Sequence, residues 1–159
     1  MVKIELTRGK FAIVDNSHAY LARYKWHISA KKYAARDERM INGCKGKRIY
    51  MHRQILDAKQ GECVDHINHN TLDNRLSNLR ICTHQQNLSN QSLSQASTTR
   101  FKGVHLSKEK GRVKRFVAYI KVKQVRRVIG YYLTAIEAAR AYNDAAKKSF
   151  GEFAYLNKV

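Results

Sequence analysis

The sequence has few cysteines and no long apolar run. Its three cysteines, Cys44, Cys63 and Cys82, are odd in number and form no Cys-x-x-Cys pair, which argues against a disulfide framework and against a zinc knuckle. No apolar stretch approaches the ~20 residues that cross a bilayer, and Met1 to Lys10 lacks the apolar core of a signal peptide. The sequence therefore predicts a cytoplasmic protein without membrane spans, whose cysteines are reduced packing residues.

Acidic residues are also scarce. The chain holds 12 Asp and Glu against 31 Lys and Arg, a formal charge of +19, while 43% of its residues are hydrophobic, which is enough for a core. Charge of one sign repels itself in a compact state and is usually kept because it meets a polyanion, most often nucleic acid. A basic solvated surface and a membrane-surface protein are the alternatives. Residues 1–99 hold 16 basic and 8 acidic residues and residues 100–159 hold 15 and 4, so that each half can contact phosphate.

One segment has the composition of a linker between domains. A chain of 159 residues forms one ordinary domain or two small ones. Ser89 to Thr99 is uncharged and rich in Ser, Gln and Thr, without sustained periodicity, which is typical of a connection between domains. We therefore predict a first domain over residues 1–90, divided into a leader (1–48) and a core (49–90), a linker over 91–99 and a second domain over 100–159.

Short alternating runs in the first fifty residues indicate strands, and a helix is expected from a Thr83 cap through Leu88. Beyond the linker, alternation predicts three strands. Thr134 and Glu137 then stand in the relation of a capping box before an Ala-rich helix. The expected fold class is α+β, with an antiparallel three-stranded sheet packed on one helix in the second domain. The predicted strands are Phe11–Val14, Tyr33–Arg36, Arg48–His52, Gly103–Leu106, Arg115–Val122 and Val125–Tyr132, and the last helix is Thr134–Phe150.

Four polar residues between positions 64 and 90, Asp65, His66, Asn78 and Asn87, are of the types that phosphodiester hydrolysis needs. Carboxylate and amide oxygens suit a hard divalent cation such as Mg²⁺ and leave coordination positions for phosphate and water. A neutral imidazole can take the proton from an attacking water. Taken singly, the same residues would be turn formers and an ordinary histidine.

Residues from about Ile49 to Asn90 resemble an HNH nuclease of the phage and intron-homing type. The resemblance implies a β-hairpin and a helix, the ββα-metal arrangement, around one divalent ion, Mg²⁺ or Mn²⁺. It implies Asp65 and Asn87 as metal ligands, His66 as general base, and Asn78 as the asparagine that braces the loop and orients His66. The matching segments are Tyr-Met-His-Arg ending at Arg53, Val-Asp-His-Ile at 64–67, Leu72-Asp-Asn-Arg75, Ser77-Asn-Leu-Arg80 and Gln-Asn at 86–87.

Four further basic residues of this region have expected roles. Arg53 is expected to contact DNA, and His52 to be either structural or a phosphate contact. His69 stands where relatives often have Gly, so it is expected to face solvent or touch phosphate. His84 is expected in an outer shell or at the surface.

Residues 100–159 resemble the Apetala-two (ethylene-response-factor) DNA-binding domain. This resemblance implies that the three-stranded sheet enters the major groove while the helix lies behind it. Alternation then places Val117 and Val128 on the DNA side, and we expect DNA contacts from Lys102, His105, Ser107, Tyr119, Lys121, Lys123 and Arg126. The matching segments are Phe101-Lys-Gly-Val104, Phe116-Val-Ala-Tyr-Ile120, Ile129-Gly-Tyr131, Thr134 to Tyr142, Asp144-Ala-Ala146, Gly151 and Leu156-Asn157.

Together these patterns predict a sequence-directed, divalent-metal-dependent endonuclease acting on double-stranded DNA, as a monomer or a homodimer, in a bacterial or phage-infected cell. A DNA-binding regulator with an inactive HNH fold is the alternative, and a metal-dependent nicking assay separates the two. RNA binding is a third, weaker option, because a sheet of this family reads a duplex groove. Since one metal centre cuts one strand at a time, double-strand cleavage would need a dimer or two successive events.

Overall fold

The computed structural model describes residues 1–38, 46–91, 93, 98–107, 113 and 115–159. The fold mixes helices with small sheets and divides into two compact units, Met1–His84 and Gln85–Val159. Cys44 and most of the expected linker at 91–99 lie outside the described residues. The compact division falls before the expected linker, so that the segment following His84 belongs to the second unit.

The first unit consists of small antiparallel sheets and one short helix. Strand β1 pairs with β2, β3 with β4 and β4 with β5, and β6 forms a hairpin with β7. Its described elements are β1 (Val2–Leu6), β2 (Lys10–Val14), β3 (His27–Ile28), β4 (Ala34–Asp37), β5 (Arg48–Tyr50), α1 (Met51–Ile55), β6 (Cys63–His66) and β7 (Leu79–Cys82).

The strand predicted over Arg48–His52 is wrong at its end. The chain leaves the sheet at Tyr50 and begins α1 at Met51. Met51 and Ile55, which are 0% and 9% exposed, stand four residues apart and therefore share one face of a helix. Two-residue alternation over so short a run does not distinguish a strand from the first turn of a helix.

The core of the first unit forms around Trp26 and Leu21. The Trp26 indole donates from Nε1 to the Leu21 carbonyl at 2.8 Å, which satisfies the polar atom of a large buried ring. Val14 and Met51, both fully buried, pack in the same cluster. Trp26 therefore packs in the core of the first unit.

The loop that joins β6 to β7 is fastened to β2 and to the residue after it. The Ile13 amide donates to the Leu72 carbonyl at 2.8 Å, and the Asn74 amide donates back to the Ile13 carbonyl at 2.7 Å. The Leu76 amide donates to Asp15 Oδ2 at 2.7 Å. His69 in this loop has a φ of 63°, a left-handed conformation that favours glycine, which fits the glycine that relatives often carry there.

A buried carboxylate, that of Asp73, holds the loop from inside. Arg75 donates to both of its oxygens, from Nε to Oδ1 at 2.7 Å and from Nη2 to Oδ2 at 2.6 Å. Asn68 Nδ2 also donates to Oδ2, at 2.9 Å. Since the Asp73 side chain is only 4% exposed, these donors replace the water that its charge loses on folding.

The second unit contains a short helix, a three-stranded antiparallel sheet in the order β10-β9-β8 and a longer helix. The longer helix begins as the sequence predicts, because the Thr134 side chain accepts a hydrogen bond from the Glu137 amide. The elements are α2 (His84–Asn90), β8 (Val104–Leu106), β9 (Phe116–Val122), β10 (Val125–Tyr132) and α3 (Ala135–Phe150).

Helix α3 covers one face of this sheet. Val104 and Ala118 pack on Ala138 and Ala139, while Ile120 packs on Tyr142 and Ala146. Small alanine side chains let the helix lie close to the strands. Gly103, just before β8, has a φ of 75°, and a Cβ there would lie 2.6 Å from the Tyr119 carbonyl oxygen. In the described part of the chain no helix is both long and apolar enough to span a membrane.

The ion pair between Asp73 and Arg75 predicts that the stability of the fold depends on pH. Hydrogen bonds from Arg75 hold the Asp73 pKa below its ordinary 3.8, against the opposing effect of burial. A carboxyl whose folded-state pKa is lowered stabilises the fold above the unfolded pKa, and that contribution is lost as pH falls through the folded value. Arg75→Met should therefore lower the Tm at pH 7 by about 5 °C, the size of an ordinary single destabilisation, and shift acid unfolding to higher pH.

Thermal melts by circular dichroism at several pH values between neutral and strongly acidic would measure this. Lys3→Met, at an exposed position on β1, is the charge-matched control. The Tm difference between Arg75→Met and wild type should narrow once Asp73 is protonated in both proteins. A difference that stays constant over the whole pH range would show that the Asp73 carboxylate is not what Arg75 stabilises.

Candidate active site

Asp65 lies near the end of β6, directly opposite Arg80 on β7. Arg80 donates to Asp65 Oδ2 from Nε at 2.9 Å and from Nη2 at 2.8 Å. The Asp65 side chain is 6% exposed and the Arg80 side chain is 14% exposed, so solvent screens the pair only weakly. The carboxylate that the sequence predicts as a metal ligand is thus paired with a cation in this structure.

His66, the last residue of β6, is 5% exposed and has its Nε2 atom 3.4 Å from Asn74 Oδ1. An amide oxygen can only accept, so a hydrogen on Nε2 is directed at Asn74, and in that tautomer the lone pair of the neutral ring is on Nδ1. Burial lowers the pKa of His66, although Asn74 and the charges of Asp65 and Asp73 act in the opposite direction. The ring is therefore neutral at neutral pH and able to accept a proton.

Two aromatic rings pack against His66, and a third packs against both of them. The His52 ring lies 5.2 Å from it, centroid to centroid, and the Tyr33 ring lies 5.8 Å from it. Tyr33 and Tyr50 in turn flank His52, at 4.9 and 5.6 Å. Burial, reinforced by His66 and by Arg53, lowers the pKa of His52 to about 3. A neutral ring that is 7% exposed favours the structural role for His52 over the phosphate contact.

Asn78 braces the loop from within. Its Oδ1 atom accepts from the Asn68 amide at 2.9 Å, and its Nδ2 atom donates to the Asp73 carbonyl at 2.7 Å. The Asn78 carbonyl also accepts from the Ile67 amide at 3.0 Å. These bonds tie the residues that follow His66 to the start of β7, which is the bracing geometry expected of Asn78. Its effect on catalysis stays a prediction.

Arg53 on α1 donates to three backbone carbonyls, those of Glu62 at 2.6 Å, Lys59 at 2.7 Å and Ala58 at 3.1 Å. These bonds close the turn that leads into β6. The guanidinium is thus committed to the fold of this unit, and the structure favours a structural role for Arg53 over the DNA contact predicted from sequence.

The second predicted ligand, Asn87, lies on α2 and belongs to the second compact unit, whereas Asp65 belongs to the first. A carboxylate and an amide oxygen are donors that suit Mg²⁺ or Mn²⁺, which keep several water ligands. The donor chemistry therefore fits the ion. Within the described residues, no group of three or more His, Cys, Asp or Glu side chains is placed to hold a metal, so binding by Asp65 and Asn87 stays a prediction. His84, the first residue of α2, is exposed, as expected of a surface residue.

Several of the residues predicted to contact DNA share the sheet face that α3 leaves open. Arg126 pairs with Lys121 and Val128 with Tyr119 across β9 and β10, and cross-strand partners point to the same side. The Arg126 guanidinium carbon lies 3.8 Å from the centroid of the Tyr119 ring, and His105 meets that ring edge-on at 5.7 Å. A shallow cavity on this face is lined in part by His105, Ser107, Tyr119 and Arg126.

Val117 lies on the predicted face and lines the same cavity, but it is only 2% exposed between the larger rings of its strand partners, His105 and Tyr131. Two other predictions for this face differ from the structure. Lys123 is not on the sheet but in the turn after β9, with a φ of 47°. Lys102 directs its ammonium to the carbonyls of Ser89 and Gln91, each at 2.7 Å. A cation bound in this way is not a ready phosphate contact.

Sequence reasoning did not identify Tyr33, Asn74 and Arg80 as parts of the site. The place of Arg80 opposite Asp65 was predictable in part, because residues on the two strands of a hairpin face each other. Asn74 and Arg80 fall inside motif segments without a role attached to them. Tyr33 is 33 positions away from His66 and carries no sequence signal of its place. Cys63 and Cys82 are partners in the β6–β7 register.

Comparison with known proteins assigns the family. A family model described as HNH endonuclease matches residues 50–89. A protein of Acanthamoeba polyphaga mimivirus, named an uncharacterized HNH endonuclease, is 32% identical over 159 residues, which cover 96% of this chain and 77% of the relative. No solved structure matches the chain significantly. The comparisons give no support for an Apetala-two domain, so that resemblance stays a prediction. At this identity and coverage, the chain belongs to the HNH endonuclease family.

Proposed function

We propose that this protein is a divalent-metal-dependent endonuclease that hydrolyses phosphodiester bonds of double-stranded DNA, at sites selected by its C-terminal unit. One observation carries the proposal. A buried, neutral His66 follows the carboxyl side chain of Asp65 at the end of β6, inside the segment that matches the HNH endonuclease family. A base and an anionic ligand side by side are what metal-assisted hydrolysis requires.

His66 is the proposed general base. With its Nε2 hydrogen directed to Asn74, the ring would accept the proton of an attacking water at Nδ1. The packed rings of His52 and Tyr33 hold the imidazole plane and exclude solvent from its buried sides. Asn78 would act indirectly, by keeping the loop after His66 in one conformation.

Asp65 and Asn87 are the proposed ligands of one Mg²⁺ or Mn²⁺ ion. When bound, such an ion supplies a Lewis acid for a phosphoryl oxygen and lowers the pKa of a bound water. In the structure, Asp65 is paired with Arg80. A guanidinium has the bidentate geometry that suits a phosphate group as well as a carboxylate.

The open face of the C-terminal sheet is the proposed DNA-reading surface, of the Apetala-two type. Lys121 and Arg126 supply exposed cationic groups there, and His105, Ser107 and Tyr119 lie beside Arg126. The charge of residues 100–159, 15 basic against 4 acidic residues, supports a polyanionic partner.

A DNA-binding regulator with an inactive HNH fold is the second candidate, and the Asp65–Arg80 pair is the observation in its favour. If that pair never opens, the carboxylate is withheld from a metal ion. Incubating supercoiled plasmid or genomic DNA with the protein, with and without Mg²⁺, decides between the two candidates. Metal-dependent nicks support the nuclease, whereas DNA retention without nicks supports the regulator.

The first prediction of this proposal concerns the general base. His66→Ala should reduce the rate of metal-dependent nicking by roughly 10²–10⁴-fold, because proton transfer by a positioned base contributes that much, while affinity for duplex DNA stays within about twofold. Single-turnover nicking and fluorescence anisotropy measure the two quantities. His18→Ala, in the 3-10 segment Asn16–Arg23 of the same unit, is the control. Full nicking by His66→Ala would remove His66 from the mechanism.

The second prediction concerns the ion. Asp65→Ala and Asn87→Ala should each raise the Mg²⁺ concentration at which nicking is half-maximal, since each removes an oxygen ligand. Asp144→Ala, at an exposed position on α3, should leave the titration unchanged. Mg²⁺ titrations at saturating DNA test this directly. An unchanged midpoint for Asp65→Ala or for Asn87→Ala would assign the ion to other groups.

The third prediction concerns the sheet face. Lys121→Met and Arg126→Met should each flatten the dependence of log affinity on log salt by about 0.9, the slope for one phosphate contact on duplex DNA. Lys148→Met removes the same charge from an exposed position on α3 and should change the slope little. Binding to duplex DNA in EDTA, at several salt concentrations, separates the variants. A flattening in Lys148→Met equal to that in Lys121→Met would argue for a non-specific effect of net charge.

A further inference from the structure

The ammonium of Lys102 closes the carboxyl end of α2. Its Nζ atom donates to the carbonyls of Ser89 and Gln91 at 2.7 Å each and lies 5.2 Å from the centre of the Tyr155 ring. The last carbonyls of a helix have no partner within the helix, and a cation placed there satisfies them and interacts favourably with the helix dipole. Burial lowers the pKa of Lys102 to about 8, as expected for an amine withdrawn from solvent.

Lys102 is itself fixed to α3 through two asparagines. Its amide donates to Asn157 Oδ1 at 2.7 Å, and its carbonyl accepts from Asn157 Nδ2 at 3.1 Å. Asn157 in turn exchanges two hydrogen bonds with the Asn143 side chain of α3, at 2.7 and 2.9 Å. The chain of contacts therefore runs without a break from α3 through Lys102 to the end of α2.

Side-chain packing joins α2 to the same unit. Ser89 and Asn90, the last two residues of α2, are 9% and 5% exposed. A narrow cavity beside the helix is lined by Leu88 and Ser89 on one side and by Tyr142 and Phe150 of α3 on the other. The Tyr155 amide adds a hydrogen bond to the Ser89 carbonyl at 3.4 Å. Helix α2 is thus packed as part of the sheet-and-helix unit.

We propose that Lys102 is a positioning residue that fixes α2, and with it Asn87, to the unit whose sheet reads DNA. This inference rests on the proposed function, in which Asn87 is a metal ligand and residues 100–159 bind DNA. It replaces the phosphate contact expected for Lys102 from sequence. The position of the Asn87 amide, a proposed metal ligand, then depends on a contact that touches neither metal nor DNA.

Three measurements on the full-length protein test this proposal. Hydrogen exchange by mass spectrometry reports on a peptide covering residues 84–91 in the metal-free protein. Electron paramagnetic resonance reports on the affinity for Mn²⁺ alone. Anisotropy in EDTA reports on the affinity for duplex DNA and on its salt slope. The variants are Lys102→Met and, as a matched loss of one cation in the same unit, Arg126→Met on the open sheet face.

In Lys102→Met, the 84–91 peptide should exchange faster and Mn²⁺ should bind roughly 10-fold more weakly, the lower range for loss of an outer-shell partner, while the salt slope of DNA binding stays unchanged. Arg126→Met should show the reverse, a flatter slope with unchanged exchange and Mn²⁺ affinity. Lys102→Arg keeps the charge and the donors, so it should restore most of the Mn²⁺ affinity. If Lys102→Met does not fold, Lys102→Arg is measured in its place, after circular dichroism has shown that its fold is near-native.

Two outcomes would overturn the inference. In the first, Lys102→Met flattens the salt slope by about 0.9 with exchange and Mn²⁺ affinity unchanged, which is the behaviour of a phosphate contact. In the second, Asn87→Ala weakens Mn²⁺ binding but Lys102→Met does not, so that Asn87 is a ligand whose position is independent of Lys102. If Asn87→Ala leaves Mn²⁺ affinity unchanged, the proposed ligand set fails instead, whatever Lys102→Met does.

Discussion

The candidate active site depends on one buried carboxylate, that of Asp73. Its oxygens accept from Arg75 and from Asn68, and its backbone carbonyl accepts from Asn78. A charge taken out of water must be fully bonded, and these bonds are met in a single loop conformation. That conformation places Asn74 beside His66. The conformation of this loop is therefore set by the hydrogen bonds that the buried Asp73 carboxylate requires, although Asp73 is not one of the proposed catalytic residues.

The loop needs an outside anchor as well, and β2 provides it. Ile13 exchanges hydrogen bonds with Leu72 and Asn74, while Asp15 accepts from Leu76. Strand β2 pairs with β1 around the buried Val14 and Ile4. The leader segment therefore supports the site. Its hydrogen bonds with Leu72, Asn74 and Leu76 stabilise the loop that follows His66.

Arginine and lysine have at least two kinds of task in this strongly basic chain. Arg53, Arg75 and Lys102 bind carboxylates or carbonyls inside the fold. Lys121 and Arg126 remain exposed on the sheet. A formal charge of +19 consequently overstates the charge that a polyanion would meet. The salt dependence of DNA binding would therefore report on the exposed cations alone. Cations that are bound inside the fold release no counterions when DNA binds.

The sequence by itself determined the family motif, the cap of α3 and the strands of the second unit, because each is set by residues close together in the chain. It did not determine that α1 begins at Met51, since a run of five residues fits both periods. Only the tertiary structure decided which cations are exposed, that Tyr33 and His52 enclose His66, and that Lys102 faces α2. These contacts join residues far apart in sequence, and a lysine has the same chemistry whether it ends at a phosphate or at a carbonyl. What separates the two is burial, which is a property of the folded chain.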